Sequence, residues 1–151
     1  MWHCNNDQFV KYDDIHLEYE ILLSWKRVFF LDGPTRCGKT HFLNHMFSSN
    51  VIVSPYCIVQ ETLYDFLNKK KALESFYEEI DRNFPCRILA FEDIDISLVG
   101  RDATQTEIAV LFNRLIKERK LILTGIDIDR RCMRLLSSLG SDKFEYFRYI
   151  K

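Results

Sequence analysis

Eight residues, from Gly33 to Thr40, combine glycine, lysine and threonine at a spacing suited to holding phosphate groups. Their sequence, GPTRCGKT, fits the pattern G-x-x-x-x-G-K-[ST], in which glycines let successive backbone N–H groups point inward at phosphate oxygens. Lys39 is expected to reach the β- and γ-phosphates, and the Thr40 hydroxyl to bind Mg²⁺. A helix beginning near Lys39 would add the positive end of its dipole. The segment therefore predicts a site for ATP or ADP together with Mg²⁺.

Two carboxylates follow another apolar run. Residues 87–91, RILAF, predict a buried strand, and Glu92 and Asp93 come directly after it. In a parallel sheet the carboxyl ends of the strands face the same crevice as the phosphate loop. P-loop ATPases use acid there to hold Mg²⁺ and orient a water molecule, so both residues are candidate metal ligands and catalytic groups. Thr124, which also ends an apolar run, either contacts the γ-phosphate or the attacking water, or only completes its strand.

A metal site is an alternative use of the same region. Cys37, His41 and His45 recur every four residues, a spacing that places metal-binding side chains on one helical face. The other interpretation assigns Cys37 to the loop and lets the histidines flank the helix. We favour the latter, because a metal there would compete with the phosphates for space.

Short apolar runs alternate with helical patterns along the chain. The predicted strands are 27–31, 51–54, 87–91, 121–125 and 144–150, and the predicted helices are 14–26 in part, 39–47, 58–68, 71–81, 103–118 and 130–138. This alternation predicts an α/β fold with a parallel sheet and helices on both faces. No repeat or linker interrupts residues 1–151, so we expect one domain.

The composition of the chain limits which binding partners and which cellular compartment are expected. With 21 basic and 22 acidic side chains, the chain lacks the basic excess typical of nucleic-acid binding, so no direct nucleic-acid partner is expected. No apolar run approaches the ~20 residues that span a bilayer, and no signal peptide is expected at the N-terminus. The five cysteines are widely spaced without a C-x-x-C pair, which favours reduced thiols in the cytoplasm.

Several segments together resemble one family, the AAA+ core of the bacterial replication initiator DnaA and its Hda-type relatives. Residues 29–47, FFLDGPTRCGKTHFLNHMF, are similar to that family's phosphate loop and following helix, including the histidine after Lys-Thr. Residues 88–96, ILAFEDIDI, resemble its Walker B strand, and residues 104–125, TQTEIAVLFNRLIKERKLILTG, its next helix and sensor-1 strand. Residues 7–25 look like a shortened N-terminal segment and first helix.

The resemblance implies a three-layer αβα fold of the ASCE type with five parallel strands. It also implies a Walker B pair, Glu92 and Asp93, and a sensor-1 residue, Thr124. The nucleotide-binding residues that it implies are Gly33, Pro34, Thr35, Arg36, Cys37, Gly38, Lys39, Thr40 and His41.

Four departures from the family pattern bear on activity. Glu92-Asp93 stands where DnaA has two aspartates, and Ile126 replaces the aspartate near sensor 1. In the arginine-finger segment the chain keeps Arg134 but has Ser138 at the finger position. The chain is expected to lack the helical lid and the DNA-binding domain. Because loss of a finger costs about 10³–10⁵-fold in rate where one is used, we expect weak ATPase activity at most.

The leading hypothesis is a nucleotide-binding regulator of chromosomal replication initiation that contacts DnaA. Hda-type proteins promote ATP hydrolysis on DnaA, and Arg134, or alternatively Arg131, would replace the missing finger here. A sliding clamp is a further candidate partner, although residues 8–12, QFVKY, match a clamp-binding peptide poorly. The alternatives are a non-catalytic interaction module with nucleotide as a structural ligand, and a small-molecule kinase that shares the phosphate loop.

Overall fold

A computed structural model of the 151-residue chain describes residues 1–4, 7–34, 36–48, 66, 68, 72–83, 88–92, 105–125 and 144–149. Within these ranges the strands are β1 (Trp2–Cys4), β2 (Asp7–Tyr12), β3 (Val28–Asp32), β4 (Ile88–Phe91), β5 (Lys120–Gly125) and β6 (Phe144–Tyr149). The helices are α1 (Asp14–Leu23), α2 (Lys39–Ser48), α3 (Leu73–Asn83) and α4 (Gln105–Leu115). In the described part of the chain, no helix is long and apolar enough to cross a membrane.

The centre of the sheet consists of the continuous apolar runs. All five residues of β3 are buried, and β3 pairs in parallel with β5 on one side and β6 on the other. β4 pairs in parallel with β5. A strand covered on both faces needs no polar alternation, so an unbroken apolar run is the expected signature. The strands predicted at 27–31, 87–91, 121–125 and 144–150 are confirmed.

The sheet is mixed rather than purely parallel: the four described strands among the five predicted ones are parallel, and β1 and β2 extend the sheet with antiparallel pairs. Its order is β2-β1-β6-β3-β5-β4, and β1 runs antiparallel to both β2 and β6. The predicted strand at 51–54 lies outside the described residues. β1 has only three residues, too few for a periodic signal, and the polar side chains of β2 are typical of an edge strand.

Helices cover both faces of the sheet and give the expected three layers. Along β3, Val28 and Phe30 point to one face, and Phe29 and Leu31 to the other. The first core joins Val28 and Phe30 to side chains of α3 and α4, among them Phe76, Ile80, Leu111, Phe112 and Leu115. The second core joins Phe29 and Leu31 to side chains of α1 and α2, namely Leu17, Ile21, Phe42, Leu43 and Met46.

The helix bounds follow local signals. The Asp13 side chain caps α1 by accepting a 2.8 Å hydrogen bond from the backbone N–H of His16, and Ser24 leaves the helix in an extended conformation. α1 therefore ends before 26, the predicted limit. α2, α3 and α4 agree with the predicted 39–47, 71–81 and 103–118 to within three residues. Of the predicted helix 58–68 only two residues are described, and 130–138 lies outside the described residues.

Candidate phosphate-binding site

The predicted phosphate loop connects the end of β3 to the start of α2 in a tight turn. Gly33 is buried, and a Cβ atom there would lie 2.7 Å from the Cys37 Sγ and 3.1 Å from the Tyr149 Cβ. Gly38 has φ of 113°, a left-handed conformation that L side chains rarely adopt, and Arg36 also has positive φ, at 66°. Both glycines of the pattern are therefore needed for the observed backbone.

The Lys39 side chain folds back into this loop. Its Nζ donates to the carbonyl oxygens of Gly33 at 2.5 Å and Pro34 at 3.0 Å, and the residue is only 7% exposed. No carboxylate of the described residues forms an ion pair with it. Buried charges are normally paired, so an ammonium group surrounded by loop carbonyls is suited to receiving an anion.

The start of α2 points its backbone donors at the same loop. The N–H of Phe42 makes a helical bond of 2.9 Å to the carbonyl of Gly38. The first four N–H groups of a helix have no acceptor within it, and a dipole of positive sign concentrates there. Together with Lys39, this helix end makes the loop electropositive, as a phosphate site requires.

Two predicted magnesium ligands lie in direct contact beside the loop. The Thr40 hydroxyl donates a hydrogen bond to Oε1 of Glu92, which directly follows β4. Thr124, fully buried near the end of β5, pairs in register with Leu31 of β3. Thr40, Glu92 and Thr124 thus meet at the carboxyl edge of the sheet. A hydroxyl and a carboxylate are the hard oxygen ligands that suit Mg²⁺, so the side chains fit the implied metal.

The two histidines of α2 face carboxylates of α1. His45 Nε2 lies 2.6 Å from Glu18 Oε2, and His41 Nε2 lies 3.8 Å from Asp14 Oδ2. The Cys37 thiol instead lies against Gly33 inside the loop. Among the described residues, no group of three metal-ligating side chains is assembled. The histidines therefore flank the helix and hold it to α1, and His41 places an 80% exposed side chain at the first turn.

Asp32, which sequence reasoning treated only as the end of a strand, is a buried carboxyl beside the loop. It is 3% exposed, and its Oδ2 accepts a hydrogen bond from the Tyr146 hydroxyl. Its Oδ1 has no hydrogen-bond partner within the part of the chain that the structure describes. The Tyr146 ring stacks on Phe30, so Asp32 lies on the sheet face opposite α2. The sequence signal that could have identified Asp32 is an acidic residue at the end of an otherwise apolar strand.

A cavity of about 370 Å³ adjoins the loop. It is lined by Met1, Trp2, Tyr12, Asp13, Asp14, Ile15 and Tyr149. Tyr149 lies next to Gly33 of the loop, and Asp14 lies 3.8 Å from His41 in the first turn of α2. The backbone N–H of His16, followed by the His16 side chain, holds the pKa of Asp13 below its usual value. The cavity is thus an aromatic pocket with an ionised rim.

The comparisons with known proteins agree with this architecture. The chain is similar to a solved structure of AMPPCP-bound DnaA from Aquifex aeolicus, with a TM-score of 0.54 and 22% identity. The similarity covers 92% of this chain and 48% of that one, so the chain spans about half the length of the DnaA structure. The chain shares its α/β fold, with a mixed and mostly parallel sheet, with that DnaA structure. No protein-family model and no curated protein matches the chain.

Several predicted site residues lie outside the described residues. These are Thr35 of the loop, Asp93 of the acidic pair, Ile126, and Arg134 and Ser138 of the finger segment. Within the described part of the DnaA-like fold, the predicted residues Gly33, Gly38, Lys39, Thr40, Glu92 and Thr124 are brought to one edge of the sheet.

Proposed function

We propose that this chain is a DnaA-related AAA+ protein that binds ATP or ADP with Mg²⁺ and regulates replication initiation through contact with the initiator. The observation that carries the nucleotide site is the buried Lys39 ammonium, which lies inside the glycine loop without a carboxylate partner among the described residues. An anion of high charge density is the ligand that such a group needs. The adjoining helix terminus adds donors of the same polarity.

The side chains divide the binding task. Lys39 and the first N–H groups of α2 would hold phosphate oxygens, while the Thr40 hydroxyl and the Glu92 carboxylate would hold the metal. A bound Mg²⁺ ion would supply positive charge beside the phosphates. Asp93, next in the chain to Glu92, is the proposed second acid.

The aromatic cavity supplies a place for the base. It lies beside the loop, and Trp2 meets Tyr149 edge-to-face with ring centroids 5.2 Å apart. Concave pockets with aromatic walls and a few polar groups are typical of small-ligand sites. A nucleotide whose phosphates lie in the loop would place its purine ring against these walls.

Hydrolysis by the chain alone would be slow. Thr124 is positioned at the correct edge to orient a water molecule, and Arg134 is the proposed replacement for the finger lost at Ser138. An arginine at the transition state contributes strongly in related chemistry. The proposed role is therefore that of a regulator whose bound nucleotide organises a docking face for DnaA.

Calorimetry tests the nucleotide site. Wild type should release or absorb heat on titration with Mg·ATP or Mg·ADP, and Lys39→Ala should weaken binding by at least about tenfold, since it removes a charge-assisted contact. Lys117→Ala removes one exposed lysine elsewhere and should bind like wild type. Absence of heat with wild type, or equal affinity in both variants, rejects the site.

ATP turnover on purified DnaA tests the regulatory role. Addition of the nucleotide-loaded chain should raise phosphate release from DnaA, and Arg134→Ala should reduce that stimulation. Unchanged turnover with both proteins would exclude the inactivator role while leaving nucleotide binding intact. The non-catalytic module then becomes the better description, and a rise in Tm with Mg·ATP but no phosphate release would support it.

A further inference from the structure

Helix α1 carries a large apolar surface on the side that faces away from the sheet. Leu17 and Ile21 are fully buried in the second core. The opposite side of the helix and Trp25, two residues beyond its end, form what we call the α1 surface: Ile15 (57% exposed), Tyr19 (59%), Leu22 (41%), Leu23 (83%) and Trp25 (69%). Five large apolar side chains at one place are more than scattered surface residues.

The area of the α1 surface is that of an interface. These side chains together present apolar area on the order of 600 Å² to solvent, close to the roughly 800 Å² that each partner contributes to a standard protein interface. The largest apolar patch of a typical monomer is about 300–600 Å² and is often functional, so the α1 surface lies at the upper end of that range.

The spacing of the α1 surface suits another helix. Ile15, Tyr19 and Leu22 are separated by four and then three residues, which is the spacing of the seam in two-helix packing. Leu23 widens this stripe on one side. The occupant that best matches such a stripe is a second helix of similar pattern.

The two ends of α1 carry charges of opposite sign, so they are complementary to the ends of a second α1 helix that runs in the opposite direction. Asp13 and Asp14 lie at its N-terminal end, with side chains 46% and 35% exposed. Arg27 and the Lys120 ammonium lie at its C-terminal end, whereas Lys26 is already paired with Glu145 and only 18% exposed. In an antiparallel pair of α1 helices each acidic end would approach a basic end, and the helix dipoles would also oppose. A parallel pair would bring like charges together.

α1 is held rigidly before any partner arrives. The Lys120 Nζ donates to the carbonyls of Ile21 (2.7 Å), Leu22 (3.2 Å) and Ser24 (2.7 Å) at the end of the helix. His45 fixes its middle through Glu18. A preformed surface loses little conformational entropy on association.

We infer that two copies of this chain pair through antiparallel α1 helices, with Tyr19 near a two-fold axis. This contact is isologous, so each copy contributes the same residues and the assembly closes at two. The inference rests on α1 and not on the phosphate loop, and Ile15 is the residue of the α1 surface that also lines the aromatic cavity.

Sedimentation across a concentration series tests the pairing. Wild type should approach twice the 18.1 kDa of the chain as concentration rises. Tyr19→Asp and Leu23→Asp should each raise the dissociation constant at least about tenfold, since each places a charge in an apolar contact. Val110→Asp, at a partly exposed site on α4, should dimerise like wild type. Circular dichroism confirms that all variants are folded.

Cysteine crosslinking tests the orientation. Under mild oxidant Tyr19→Cys should form a covalent dimer, and so should a mixture of the Ile15→Cys and Leu23→Cys proteins. Leu23→Cys alone should give no more covalent dimer than wild type. A chain that stays monomeric up to about 100 µM, a range covering weak physiological dimers, overturns the inference. A dimer whose dissociation constant is unchanged by Tyr19→Asp and by Leu23→Asp also overturns the inference. The α1 surface would then belong to a different protein.

Discussion

The hydroxyl of Thr40 donates a hydrogen bond to the carboxylate of Glu92, although the two residues are 52 positions apart. Thr40 lies in the first turn of α2, and Glu92 directly follows β4. β5, which carries Thr124, lies between β4 and the strand that leads into the phosphate loop. The contact therefore spans one strand and brings two proposed metal ligands together.

Glu92→Gln should make nucleotide binding insensitive to magnesium. Glutamine keeps an oxygen that accepts from Thr40 but removes the charge that attracts a divalent cation. Changing a residue that only orients a metal ligand already lowers metal affinity about 10–100-fold. The gain in ATP affinity on adding Mg²⁺ should therefore fall at least about tenfold in this variant. Calorimetry with and without EDTA measures this gain. Glu118→Gln, on a 78% exposed side chain, is the matched control, and equal gains in both variants would remove Glu92 from the metal site.

Gly33→Ala should destabilise the fold as well as the loop. The added methyl would lie 2.7 Å from the Cys37 Sγ and 3.1 Å from the Tyr149 Cβ, and overpacking of this kind costs about 1–3 kcal/mol. Shortening the neighbour by Cys37→Ala should recover part of this loss, because only the 3.1 Å approach to the Tyr149 Cβ then remains. Urea denaturation of both single variants and the double variant measures the coupling. Strictly additive effects would contradict the contact.

The parallel part of the sheet could be predicted because its strands are fully buried. Residues 28–31 and Ile88–Phe91 form unbroken apolar runs, and the rule that parallel strands share a carboxyl edge was enough to place Glu92 near Thr40. The phosphate loop that follows β3 has a residue spacing that few other functions require.

The aromatic cavity could not be predicted in the same way. Trp2 and Tyr149 come from opposite ends of the chain and meet only because β1 joins the sheet beside β6. A three-residue strand has no measurable period, so its pairing is decided by tertiary contacts alone. The partner of Asp32 was hidden for a similar reason, since Tyr146 is separated from it by 114 residues.

Lys120→Met should loosen the end of α1. Its ammonium satisfies carbonyl groups of Ile21, Leu22 and Ser24 that the helix itself leaves without donors. Losing these charge-assisted bonds while keeping the aliphatic packing should lower the free energy of unfolding by roughly 1–2 kcal/mol. Thermal denaturation measures the change, with Lys117→Met as the control on an exposed side chain. If the two variants melt together, the cap contributes nothing.

Asp13→Asn should flatten the acid limb of the stability profile. The hydrogen bond from the backbone N–H of His16, the largest cause, holds the folded pKa of Asp13 below its usual value. A depressed carboxyl pKa contributes stability that is present above the unfolded pKa and is lost as pH falls through the folded pKa. Asparagine caps a helix about as well as aspartate but does not titrate. Wild type should therefore melt higher than the variant at neutral pH, where the carboxylate also favours the helix dipole. The difference in Tm should shrink as pH falls from about 5 toward 3, and a difference that stays constant over that range would show that the Asp13 charge does not stabilise α1.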